Sequence, residues 1–152
     1  MTGSTRAGHY HCFGLGKPYN QVVAALEEIS READAEVAGF HDMSVREVAE
    51  NTGLSFRQAE LAREREFDEP FFFAGSSVEA IGRFVELAGQ RGFQVTREGK
   101  FWHLFSGSDK GRAVKQLIGL YRKALNRRVR SVGLGDSAND IPMLTAVDQA
   151  VL

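Results

Sequence analysis

The sequence predicts an α/β protein: a small α+β domain followed by part of a doubly wound, Rossmann-like sheet. Three observations carry that expectation. Short β-prone runs alternate with amphipathic stretches along the whole chain. Helix starts are marked by Ser-x-x-Glu/Gln pairs, in which the serine caps the helix and the acid or amide reaches back. Finally, the last third reads helix, strand, loop, helix, strand, the order of a parallel sheet with crossovers.

The elements follow in order. Residues 9–13 form the first strand candidate. Pro18 opens a helix with Val22, Val23, Leu26 and Ile29 at helical spacing. Residues 36–40 form a strand, and capping boxes at Ser44/Glu47, Ser55/Gln58 and Ser76/Glu79 begin three helices. Gly53 ends the first of these. Residues 70–74 contain Phe71-Phe72-Phe73, a core strand rather than an aromatic platform. Residues 93–97 and 100–105 flank Glu98-Gly99, which predicts a two-residue hairpin loop. That register pairs Val95 with Trp102 and Phe93 with Leu104, leaving Gln94, Thr96, Phe101 and His103 on the other face. It also sets Arg97 opposite Lys100, so that either both splay into water or an anion lies between them. A long helix over residues 109–125 carries Ala113, Val114, Leu117, Ile118, Tyr121 and Leu125 on its expected buried face. Residues 129–134 and 149–152 are the last two strands.

Composition bounds the function. The chain has 152 residues and a formal net charge of -1. Such a balance exerts no general attraction on nucleic acid or anionic membranes, so neither is expected as a partner. No apolar run reaches membrane-spanning length. Cys12 is the only cysteine, which excludes an internal disulfide and agrees with a cytoplasmic setting. His9, His11 and His41 show no zinc spacing.

Two segments carry chemistry. Gly135-Asp136-Ser137-Ala138-Asn139-Asp140 follows an apolar strand and precedes Ile141-Pro142-Met143-Leu144, which opens a helix. Carboxylates at the carboxyl end of a strand sit where open α/β sheets bind ligands, and they suit Mg²⁺. The plainer reading makes Asn139 or Asp140 a helix cap, but Asp136 lies too early for that job. Ser106-Gly107-Ser108-Asp109-Lys110-Gly111 leads into the long helix. A lysine in a first turn opposes the helix dipole. Helix amides and an ammonium together would meet a phosphate.

Together these segments resemble the third and fourth motifs of haloacid-dehalogenase (HAD) superfamily phosphatases. More narrowly, several segments are similar to those of the mannosyl-3-phosphoglycerate phosphatases: Leu15-Gly16-Lys17-Pro18-Tyr19, Gly39-Phe40-His41-Asp42-Met43-Ser44, Ala62-Arg63-Glu64-Arg65-Glu66 and Gly99-Lys100-Phe101-Trp102-His103-Leu104. The resemblance implies a type IIB cap over residues 1–105 and a partial core over residues 106–152. It implies a phosphorylated sugar-glycerate as substrate and Mg²⁺ as cofactor. Lys110 would steady an aspartyl nucleophile and the phosphate. Asp136 and Asp140 would serve the metal, Asp140 alternatively pairing with Lys110. Asn139 would contact phosphate or a metal-bound water. In the cap, Ser44, Arg65, Lys100 and His103 are the candidates for holding glycerate and sugar.

The family's covalent reaction needs an Asp-x-Asp motif, and none occurs here. The expectation is therefore a cap plus the later half of a core, inactive alone. The rival is a non-catalytic module that binds sugar phosphates or other anions. Without the nucleophile strand, residues 129–134 would be an apolar edge, which predicts a homodimer or larger assembly through it.

Overall fold

Side chains alternate along an extended strand, so Phe71 and Phe73 face one side of a sheet and Phe72 the other. Both sides are used. The computed structural model describes residues 4–107, 109–137 and 140–152. It is mixed α/β and divides into two units, Met1–Gly107 and Ser108–Leu152.

The first unit begins with a hairpin, β1 (Ser4–Ala7) and β2 (Tyr10–Phe13), turning at Gly8. Its centre is a four-stranded antiparallel sheet made from β3 (Val37–Gly39), β4 (Asp68–Phe73), β5 (Gln94–Glu98) and β6 (Phe101–Phe105), in the order β3-β4-β6-β5. Helices α1 (Tyr19–Ala33) and α4 (Val78–Gln90) cover the Phe71 face. There Val22, Leu26, Ile29, Phe71, Phe84 and Leu104 are fully buried. Helices α2 (Val45–Thr52) and α3 (Phe56–Arg63) cover the Phe72 face, with Met43, Val48 and Ala59 at the centre and Phe72 and Phe101 packed on them.

Ser44 and Ser55 form the expected capping boxes, and Gly53 ends α2 in the left-handed region at φ 77°. The third box is different. Ser77, one residue later than expected, caps α4 by accepting from the Ala80 amide. Ser76 instead donates to the Glu36 carbonyl, tying the turn to the approach of β3.

The β5–β6 hairpin also corrects an expectation. Its loop is Gly99-Lys100, because Gly99 at φ 61° takes the position that a type II′ turn reserves for glycine. Val95 then faces Leu104, and Arg97 faces Trp102. The partner shift is two residues, so both faces keep their side chains. The opposition of Arg97 and Lys100 disappears. The Arg97 guanidinium lies over the Trp102 ring and donates to the Gly99 carbonyl, while the Lys100 ammonium donates to Asn51 and lies over Phe101. No anion is needed between them.

The second unit comprises α5 (Lys110–Leu125), β7 (Val132–Leu134), α6 (Ile141–Leu144) and β8 (Gln149–Val151). β7 and β8 are parallel, with α6 in the crossover. The strand expected over residues 129–134 shrinks because the Ser131 amide and hydroxyl both donate to Asp148 rather than to a ladder. The expected buried face of α5 is also half open. Leu117, Tyr121 and Leu125 are 52%, 53% and 48% exposed. Among the described residues of this unit short β7, α6 and their neighbours Val129 and Val147 lie against that face, leaving an apolar groove of about 240 Å³ between Val114, Ile118, Val132 and Val147.

Candidate functional site

In the second unit the chemistry begins with a cap. Asp109, itself extended, accepts from the Arg112 amide at 2.8 Å, so α5 starts at Lys110. Lys110 thus stands in the first turn, where the dipole disfavours it, and its compensation is visible. The ammonium donates to Asp140 Oδ1 at 2.5 Å. Asp140 is 6% exposed. Its second oxygen accepts from the Ser137 hydroxyl at 2.8 Å and from the Asp136 and Ser137 amides at 3.2 and 3.3 Å.

These contacts show what Asp140 is doing. It stands at the start of α6 but makes no side-chain capping bond, so the plain helix-cap reading does not hold for it. The Lys110 hydrogen bond, then the Ser137 hydrogen bond, hold its carboxyl down at about 2, well below the usual carboxylate range. It stays ionised throughout the physiological range. An anion so placed orients the ammonium and folds the 135–137 loop around itself.

Two glycines make this closure possible. A Cβ on Gly135 would stand 2.6 Å from Asp140 Cβ, and one on Gly111 would stand 2.2 Å from the Pro142 carbonyl oxygen. The backbone at both points is too close for any side chain. Sequence reasoning quoted both glycines but assigned them no role. A glycine in the first turn of an otherwise good helix was the available signal, since helical propensity disfavours it there.

Asp136 presents an exposed carboxylate beside this knot. With Asp140 engaged by four donors, Asp136 is the carboxylate here that remains open to solvent. Among the described residues no group of three or more His, Cys, Asp or Glu side chains is gathered to hold a metal ion. One open carboxylate suits Mg²⁺ only where substrate phosphate, waters and further ligands complete its shell. Asn139 and Ser108 lie outside the described residues.

The first unit brings two of the four candidate cap residues together. Asp68, at the start of β4, accepts from Arg65 Nη1 at 3.2 Å and pairs with His103 Nδ1 at 3.0 Å. All three side chains are about one-fifth to one-third exposed. Burial raises the Asp68 carboxyl, but the His103 hydrogen bond and the Arg65 charge outweigh it, and the net shift is downward. The result is an arginine and a histidine braced by one carboxylate. Ser44 and Lys100 do not join it: Ser44 is occupied in its capping box, and Lys100 reaches Asn51.

On the opposite face of β4 lies a cluster that sequence reasoning missed. Glu69 is fully buried and accepts from the Tyr19 hydroxyl at 2.6 Å, the His41 amide at 2.9 Å and His41 Nδ1 at 2.8 Å. Burial, then the hydrogen bond to Glu69, raises the Tyr19 hydroxyl far above its ordinary value. The signal was an Asp-Glu pair opening an apolar strand, a costly place for a carboxylate unless donors meet it.

No family model matches the chain. Among curated proteins, a glucosyl-3-phosphoglycerate/mannosyl-3-phosphoglycerate phosphatase of Methanococcoides burtonii is 37% identical over 141 residues, covering 93% of this chain and 51% of that protein. A protein of the same name from Persephonella marina is 39% identical over 144 residues, covering 94% and 52%. The chain therefore spans about half the length of the curated relatives it matches. A solved structure from Thermoplasma acidophilum aligns with 86% of this chain and 54% of its own at 21% identity, with a TM-score of 0.47. Over nearly all of its own length, this chain is a relative of the glucosyl-3-phosphoglycerate/mannosyl-3-phosphoglycerate phosphatases.

Proposed function

We propose that the chain carries part of a Mg²⁺-dependent HAD-type phosphatase acting on the phosphate ester of a glucosyl- or mannosyl-3-phosphoglycerate. In this reading the unit Met1–Gly107 serves as a type IIB cap and Ser108–Leu152 as the part of the core bearing the third and fourth motifs. The observation that supports it most is the Lys110–Asp140 pair at the start of α5. It stands in a chain related to phosphatases of that name.

The geometry supports the following roles. Lys110 offers an ammonium next to the amide-rich first turn of α5, a setting that favours phosphate oxygens. Asp140 fixes that ammonium and does not compete for metal, since its own oxygens are already engaged. Asp136 would hold Mg²⁺, and Asn139 would contact phosphate or a metal-bound water. When bound, the ion neutralises phosphate charge. Arg65 supplies a guanidinium suited to a glycerate carboxylate, with the His103 ring beside it and both braced by Asp68. Ser44 and Lys100 remain weaker candidates for substrate contact because each already has a structural partner.

An aspartyl-phosphate intermediate requires an Asp-x-Asp motif, and these 152 residues contain none. The chain by itself is thus proposed to bind and orient without turning over. A non-catalytic role in binding sugar phosphates or other anions is the alternative, and a second chain supplying the nucleophile is a variant of the first reading. β7 has one strand partner among the described residues, and Val132 and Leu134 are 54% and 71% exposed. That favours assembly through residues 129–134, which a clean monomer by light scattering at high concentration would contradict. No helix among the described residues is long and apolar enough to cross a membrane, and a cytoplasmic setting completes the proposal.

The test is release of inorganic phosphate from mannosyl-3-phosphoglycerate with Mg²⁺. The chain alone should give none. Release that appears only when a polypeptide carrying an Asp-x-Asp segment is added would support complementation. Robust release by the chain alone, abolished by Asp136→Ala, would overturn the proposed inactivity.

A further inference from the structure

A second cavity lies in the first unit, away from the Arg65–Asp68–His103 cluster in composition and in charge. It has a volume of about 440 Å³ and is lined by Tyr19, Phe40, His41, Glu60, Arg63 and Glu64. Its floor is rigid. Tyr19 and His41 are both fastened to buried Glu69, and the Arg63 Nε donates to the Phe40 carbonyl. At the same place His41 Nε2 is buried and lacks a hydrogen-bond partner. The nearest carboxylate oxygen, of Asp42, lies 3.1 Å away but without hydrogen-bond alignment.

The lining decides the ligand class. Two carboxylates against one guanidinium disfavour an anion, so a phosphate or glycerate carboxylate does not belong here. A carboxylate is an acceptor with several lone pairs, and Glu60, in α3, and Glu64, just past its end, both line the cavity. Neighbouring hydroxyl groups provide the donors that such a pair takes. Tyr19 and Phe40 add aromatic surface for the ring's carbon skeleton, and Arg63 adds polar atoms for the remaining hydroxyl and ring oxygens. A concave surface with a few convergent polar groups beside aromatic side chains is how small-molecule sites are built.

We propose that this cavity binds the uncharged glycosyl ring of the substrate, with Glu60 and Glu64 accepting from sugar hydroxyls. The proposal rests on the sugar-phosphoglycerate reading above. It assigns the sugar to the α1–α3 side of the unit and leaves the charged glycerate to Arg65 and His103.

The experiment uses two probes on the intact chain followed by NMR: glucosylglycerate, which lacks the phosphate, and inorganic phosphate. Glucosylglycerate at millimolar concentration should shift resonances of Tyr19, His41, Glu60 and Glu64. Glu60→Gln and Glu64→Gln, at exposed positions that leave the fold intact, should each weaken that binding roughly tenfold. Lys110→Ala should not change it. Sugar shifts centred elsewhere, or unaffected by both glutamine variants, would overturn the cavity assignment and leave the phosphatase reading standing. So would phosphate shifts near Lys110 with no response to the sugar. Silence towards both probes would overturn both.

Discussion

The two units of this chain differ in what makes them cohere. Among the described residues, the unit Met1–Gly107 contains every hydrophobic residue that is fully or nearly fully buried, in two clusters on opposite faces of one sheet. The unit Ser108–Leu152 buries Gly111, Gly133 and Asp140 but, among the described residues, no large apolar side chain. Its order is local and polar: a lysine, a carboxylate and a hydroxyl tied at one point, with two glycines allowing the backbone to close on them. The first unit is a packed body whose polar groups are accessories. The second is a polar knot whose apolar face stands open.

The comparison can be broken most forcefully at Phe71, which touches Phe73 and Phe84 at ring-centroid separations of 5.3 Å. Phe71→Ala should cost the first unit about 3–5 kcal/mol in chemical denaturation. Leu117→Ala, on the half-exposed face of α5, should cost under about 1 kcal/mol. Equal losses would show that the second unit is better packed than described. Gly111→Ala comes next, because its methyl group would meet the Pro142 carbonyl oxygen at 2.2 Å. An expected cost of about 1–3 kcal/mol should appear as lost hydrogen-exchange protection in α5 and α6, with α1 and α4 unaffected.

The knot itself is probed by pH. Asp140 titrates near 2 in the folded chain, below its unfolded value of about 3.9. A depressed carboxylate contributes stability in full above the unfolded value and loses it as pH falls through the folded one. Lys110→Ala should therefore raise the Asp140 titration, read by carboxyl NMR, and should narrow the acid range over which the 135–137 loop stays ordered. The smallest effect is expected at Asp68. Its carboxyl is held down chiefly by the His103 hydrogen bond and the Arg65 charge, against burial that raises it. His103→Gln should move its titration upward with little change in overall stability.

The same contrast explains what could be read in advance. Helix starts were legible wherever a short-range bond decides them, as at Ser44 and Ser55. Ser76 failed because two adjacent serines competed, and the tertiary bond to Glu36 chose which one capped. The hairpin loop moved by one residue because glycine's backbone freedom outweighed the simple two-residue count around Glu98-Gly99. The open face of α5 could not be foreseen, since helical periodicity reports which side chains can be buried and not what is present to bury them. At the candidate site, Lys110 and the Gly135–Asp140 loop were legible as chemistry misplaced for structure alone. The partners that brace them, and the Tyr19–Glu69–His41 cluster, were not, because contacts across 30 to 50 residues leave no local pattern.

The proposed handling of a sugar-phosphoglycerate runs through Lys110 and stops short of cleavage by this chain alone. It is tested most directly by ³¹P NMR of mannosyl-3-phosphoglycerate with the chain and Mg²⁺. The ester resonance should shift or broaden with the native chain and recover with Lys110→Ala, while no inorganic phosphate accumulates. An ester resonance indifferent to Lys110, or a growing inorganic phosphate signal from the chain alone, would contradict it.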